Sequence, residues 1–203
     1  MAGIAVPPGR AGRLWLRRRL ETAARGVDLL ERELTALRRL HDDAAEAATR
    51  TGAEWRHLAT AARAAQLRAE LAAGARGLRI GLPEPLARVE ISWTTTMGVR
   101  YPTDAQCTAA PPDSRAVDCS AAVTLARTAH TAALQAAARH AAAAAPEQIL
   151  AVQVDTTRQR VRALRHRWVP QLTHALRQRE IELEEQERQD RIAARRATNS
   201  QRR

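Results

Sequence analysis

The sequence predicts a mainly all-α chain: a long antiparallel two-helix coiled coil from its N- and C-terminal arms, with a small β-hairpin-containing head between them. Three observations carry this reading. The 203 residues are dominated by Ala, Leu, Arg and Glu, with 2% aromatic residues and no Phe. Ala buries little area and compact cores rely on large side chains, so this composition suits thin helix–helix seams. Apolar residues step by alternating fours and threes near the N-terminus, and the one β-patterned stretch lies mid-chain, preceded by prolines.

The N-terminal arm opens after Pro7-Pro8-Gly9, a breaker cluster suited to a helix start. Leu16, Leu20, Ala23, Val27, Leu30, Leu34 and Leu37 then form a heptad seam over three repeats. The pattern continues more weakly through Leu40, Ala44, Ala48, Trp55, Leu58, Ala62, Ala65 and Ala69, small residues that let another helix approach. Gly52 reads as a weak point, costing about 1 kcal/mol relative to Ala in a helix interior. The arm ends near Gly74 to Gly77, and about 60 helical residues reach on the order of 90 Å.

In the middle, Pro83 and Pro85 block helix. Val89, Ile91 and Trp93 alternate with polar residues, and Met97, Val99 and Tyr101 keep the same parity, which reads as strand. Two closures are open. A tight hairpin turns at Thr94-Thr95-Thr96, or the strand runs on, turns at Pro111-Pro112-Asp113-Ser114 and returns through residues 115–119. The second is preferred, because Pro-Pro-Asp-Ser is the stronger turn signal.

The C-terminal arm starts around Ser120 and is Ala-dense as far as Ala145. Pro146, with Glu147 beside it, is placed like a first-turn proline, so the helix is expected to break or restart there. Val154, Val161, Leu164, Trp168, Leu172, Leu176 and Leu183 form a second stripe. Spacings of four gather around Pro170, which removes a helix hydrogen bond and bends the rod. The end is polar, with pairs such as Glu184 and Arg188 at helical spacing. The expected division is residues 10–76 and 120–197 as the helical arms, 77–119 as the head, and 198–203 as a frayed tail. A small head at the turn of a long hairpin sets the arms antiparallel.

Charge and chemistry narrow the function classes. The formal net charge is +11, and all 33 basic residues are Arg. A GC-rich genome produces the same bias, so it selects no partner class among nucleic acid, anionic lipid and acidic protein. The arginines at 17, 18 and 19 read as a helix face that is solvated or presented to a protein sleeve, since Leu16 and Leu20 flank them. Cys107 and Cys119 read as free thiols in a reducing cytosol. The segment MAGIAVPPGR lacks the apolar core of a signal peptide, and no apolar run approaches the roughly 20 residues that span a bilayer. No catalytic constellation, metal-ligand set or cofactor loop is found. The six histidines form no zincin pair, the cysteine spacing is wrong for a zinc knuckle, and residues 74–77 lack the Lys-Ser/Thr of a phosphate loop.

Three segments resemble the D subunits of V/A-type rotary ATPases, the family of central-stalk shafts. The first holds Pro8, Arg10, Leu14, Leu20, Ala24, Gly26, Leu29 and Leu30; the second, Met97, Gly98, Val99 and Pro102. The third holds Val161, Ala163, Leu164, Pro170, Leu172, Ile181, Leu183, Glu185, Glu187 and Arg188. Departures from the family pattern are Gly9 for Thr, Glu31 and Glu33 at usually basic positions, and Thr95 for Asn.

The resemblance implies a non-catalytic rotor that transmits torque between a catalytic ring and a membrane ion-translocating ring. Its paired termini would enter a hexamer of catalytic and non-catalytic subunits (A and B). Its mid-section would bind the small F subunit, and its lower part would seat on the funnel-like C/d subunit. The chain would sit at the cytoplasmic face of the membrane, peripheral and not inserted, with no nucleic acid and no cofactor. The interaction positions expected are Leu16, Leu20, Val27, Leu30, Leu34, Met97, Gly98, Val99, Val161, Leu164, Trp168, Pro170, Leu172 and Leu183. The alternative is a basic coiled-coil protein that binds nucleic acid or acts as an architectural factor, marked by binding that weakens steeply with salt.

Overall fold

The computed structural model describes residues 6–80, 87–109 and 120–201. Helix α1 covers Gly9–Ile80, strands β1 and β2 cover Arg88–Thr96 and Val99–Thr108, and helix α2 covers Ala121–Ala163. A π-helical segment, Leu164–Trp168, leads into helix α3, Val169–Gln201. The chain is mostly helical with one two-stranded antiparallel sheet, as its composition and periodicity predict. Two compact units result: an end unit of Met1–Thr35 with Asp155–Arg203, and a middle unit of Ala36–Val154.

In the end unit the Leu-rich start of α1 meets the chain's last helices. Leu16, Val27 and Leu34 are buried on one side, and Val161, Leu172 and Leu183 on the other. Each fully buried Leu contributes about 1.5–3 kcal/mol of hydrophobic free energy, so this seam stabilises the pair more than the surrounding polar contacts do. Three ion pairs give the direction: Arg10–Glu187 at 2.9 Å, Arg17–Glu180 at 2.7 Å and Glu31–Arg165 at 2.7 Å. Partners descend in α3 and the π segment as they ascend in α1, which makes the pairing antiparallel.

In the middle unit the seam is mostly alanine. Ala69 packs with Val123 and Ala126, and Ala48, Ala62, Ala133, Ala136 and Ala142 are also buried. Small side chains suit a close seam, and Gly52 lies against a side chain of α2. A Cβ placed on Gly52 would lie 3.0 Å from His140 Cε1, so the glycine read as a weak point is a site of close contact. The His140 ring stacks on Trp55 with centroids 5.6 Å apart. The Thr51 hydroxyl donates to the Ala47 carbonyl at 2.8 Å, so its oxygen accepts from His140 Nδ1 at 3.2 Å.

Three local expectations need correction. First, β1 and β2 close across a two-residue turn at Met97-Gly98, not at 94–96 and not through a long run to Pro-Pro-Asp-Ser. Both turn residues have positive φ, 54° and 79°, the geometry that matches the right-handed twist of paired strands. Residues 111–119 of the preferred closure, Cys119 among them, lie outside the described residues. Second, Tyr101 pairs with Thr94 and so shares the face opposite Trp93, because the turn reverses the chain and ends the single-strand parity.

Third, α2 runs through Pro146 without a break. The proline is buried among Ala142 and Leu150 on the packed side of the helix, and that packing outweighs its cost of about 3 kcal/mol. At Pro170 the helix is irregular on the proline's N-terminal side, where the Val169 amide donates to the Leu164 carbonyl in a π turn. A wider turn accommodates a proline that cannot donate and whose ring crowds the preceding carbonyls. Near the other end of α1 the helical path is interrupted at Gly74, whose φ of 66° and ψ of 175° lie outside the helical region.

Candidate functional site

The two units present surfaces of different chemistry. On the end unit, the helical turn that carries the arginine run separates its members. Arg17 reaches across to Glu180. Arg18 and Arg19 face a groove of about 400 Å³ beside Trp15, Leu164, Trp168 and Leu172. Successive helix positions lie about 100° apart, which is why neighbours in sequence do different work. The Arg19 guanidinium sits 5.2 Å from the centroid of the Trp15 ring, a cation–π distance that holds the charge at the groove wall. Leu172 forms a buried floor, whereas Trp168 is 42% exposed.

On the middle unit, the hairpin lays one face toward α2. Val89, Ile91 and Trp93 pair with Cys107, Ala105 and Pro102 respectively. All of these strand residues except Cys107, with Leu134, Ala138 and Ala142 of α2, line an apolar cleft of about 390 Å³. The β2 members are buried, yet Ile91 and Trp93 remain 50% and 51% exposed. A bulge opens between Ser92/Trp93 and the facing strand, at Thr103 beside Pro102, where a residue without an N–H cannot extend the ladder. Large apolar side chains left open together mark a surface that binds a partner.

The seam residues expected at Leu16, Val27, Leu34, Val161, Leu172 and Leu183 are buried within the end unit, and Leu20, Leu30 and Leu164 are half-buried beside them. Trp168 and Pro170 are exposed. Met97, Gly98 and Val99 are brought together at the hairpin turn of the other unit, with Met97 46% exposed. Sequence reasoning missed the Val89–Ile91–Trp93 face as an open surface, because alternation places these residues on one side without saying what covers it. It also missed the separation of Arg17 from Arg18 and Arg19, although the position of Leu16 on the seam is a signal for it.

Among the described residues, no group of three or more His, Cys, Asp or Glu side chains is placed to hold a metal ion, and no helix is long and apolar enough to cross a membrane. Cys107 is a buried free thiol in β2. The sequence model of the family of ATP synthase D subunits matches residues 14–199, nearly the whole chain. No curated protein matches the sequence.

Proposed function

The chain belongs to the family of ATP synthase D subunits, and from that premise we propose that it is the rotor shaft of a V/A-type rotary ATPase, transmitting torque between the catalytic hexamer and the membrane ring. The family makes it a stalk component that associates with other subunits of a membrane-bound complex. The finer roles are our reading. The paired ends enter the ring of A and B subunits, the middle unit takes the small F subunit, and a funnel-like C/d subunit receives the lower part at the cytoplasmic face.

One observation carries this reading: the N- and C-terminal helices pair in antiparallel register through a Leu seam with cross-arm ion pairs. Torque is transmitted by a body whose two strands resist sliding past each other. Interlocked large side chains resist it by sterics, because any slip opens cavities that cost several kcal/mol each. The exposed apolar cleft beside the hairpin supplies a docking face for the small stalk partner. Catalysis belongs to the ring in this scheme, and the shaft needs none.

Co-purification tests the proposal. The full chain, expressed with its ring and stalk partners, is expected to bring down the nucleotide-binding subunits and the small stalk partner together. Charge reversal at Arg17, Arg18 and Arg19 is expected to weaken ring assembly or coupled turnover. A chain that purifies alone, or with DNA, overturns the reading.

A further inference from the structure

Within the end unit, the groove beside Trp15 and Trp168 combines features that a plain shaft surface does not need. Two indole rings from opposite helices flank it, Trp15 on α1 and Trp168 at the end of the π segment. Its floor is apolar, through Leu164 and Leu172. The charged groups lining it are the guanidinium groups of Arg18 and Arg19, neither of which has an acidic partner among the described residues. The ions around it are satisfied differently: Arg17 is paired with Glu180 and Arg165 with Glu31. The groove therefore holds two cations without a carboxylate partner among the described residues, beside an open hydrophobic floor.

We infer that this groove seats an acidic peptide segment, carrying at least one apolar side chain, from the partner that surrounds the paired ends. The inference rests on the shaft reading above and names the chemistry of one contact within it. A carboxylate can meet Arg18 or Arg19 in a bidentate pair, and an apolar side chain beside it covers the Leu172 floor between the rings. A volume of about 400 Å³ is near the small end of the ~300–1,000 Å³ range of ligand clefts, so it takes a few side chains and not a folded element.

The size and lining of the groove favour a short acidic segment. A nucleic acid strand needs a basic track along its phosphates. The groove itself offers two cations, Arg18 and Arg19, beside the apolar floor of Leu164 and Leu172, within about 400 Å³. Neighbouring arginines of the unit are engaged by its own carboxylates, Arg17 by Glu180, Arg165 by Glu31 and Arg10 by Glu187.

The test measures binding of the full chain to its isolated nucleotide-binding ring across a salt series, with far-UV circular dichroism showing unchanged helicity in each variant. The double variant Arg18→Ala/Arg19→Ala is expected to bind at least tenfold more weakly and to lose most of its salt dependence. Trp168→Ala is expected to weaken binding several-fold while keeping the salt dependence. Arg18→Lys/Arg19→Lys retains the charges and is expected to recover part of the affinity. If Arg18→Ala/Arg19→Ala enters the ring with parental affinity and salt dependence, the groove assignment falls while the shaft reading stands. If the parent chain does not bind the ring, both fall. If a single-stranded thymidine oligomer binds the chain and that binding is lost in Arg18→Ala/Arg19→Ala, the groove is an anion site for nucleic acid and the assignment is overturned.

Discussion

Replacing Gly52 by Ala in the middle unit sets two effects of similar size against each other. Ala is better than Gly inside a helix by about 1 kcal/mol, so on propensity alone Gly52→Ala stabilises. The new Cβ, however, would stand 3.0 Å from His140 Cε1, 3.4 Å from Nδ1 and 3.5 Å from Nε2. The imidazole must move to admit it. Movement weakens the stack on Trp55, a contact of ~0.5–1.5 kcal/mol, and the hydrogen bond to Thr51, another ~0.5–1.5 kcal/mol. The net is a destabilisation of about 0–2 kcal/mol. In the His140→Ala background the obstacle is gone and the ~1 kcal/mol propensity gain remains, so the double-mutant coupling is about 1–3 kcal/mol. Urea unfolding of the parent, the two single variants and the double variant, followed by far-UV circular dichroism at equal slopes, measures it. Equal stabilisation by Gly52→Ala in both backgrounds would refute the close-contact argument.

Three further outcomes follow from the geometry. Leu16 is 0% exposed at the end-unit seam, so Leu16→Ala is expected to cost about 2–5 kcal/mol, whereas Leu29→Ala, at 67% exposure, stays within ~0.5 kcal/mol; paired thermal melts read the contrast. Met97→Asn places a residue tolerant of left-handed backbone at φ 54° before Gly98, and is expected to stabilise the hairpin by roughly 0.5–1 kcal/mol. Slower amide exchange across residues 88–108 would show it, and faster exchange would count against the turn assignment. Pro170→Ala restores an amide donor after the π segment and is expected to stabilise the end unit by about 1 kcal/mol, the ~3 kcal/mol proline cost being reduced by the wider turn and by unfolded-chain entropy; a lower melting temperature contradicts the role given to the π turn.

The helical arms were legible because their signal is local and repeated. Leu16 through Leu37 encode a face by spacing alone, and Ala-rich stretches fit a close seam whatever the partner. The hairpin was legible as strand but not as a turn. Met97 gives no conventional turn signal, and only the backbone reveals that it shares positive φ with Gly98. The prolines at 111 and 112 were louder and drew the closure away. Gly52 could not be read correctly, since the reason for it is His140, 89 residues from Thr51 along the chain. Pro146 was misread for a related reason: a local penalty was weighed without the packing on either side of it. The candidate groove was half visible. Leu164, Trp168 and Leu172 stood on a recognised stripe, whereas their meeting with Trp15, Arg18 and Arg19 depends on the register between two arms, which no spacing within one arm determines.

The π segment has a consequence for how this chain tolerates changes in length. A single-residue deletion in an α-helix turns everything beyond it by about 100°, which would swing Leu172 and Leu183 away from the seam. Leu164–Trp168 already holds one residue more than an α turn between the same flanks. Removing one residue there, together with Pro170→Ala so that the tighter turn can donate normally, closes the wide turn to an ordinary one and leaves the downstream helix facing α1. Within these two arms, that is where a loss of one codon leaves the seam in phase.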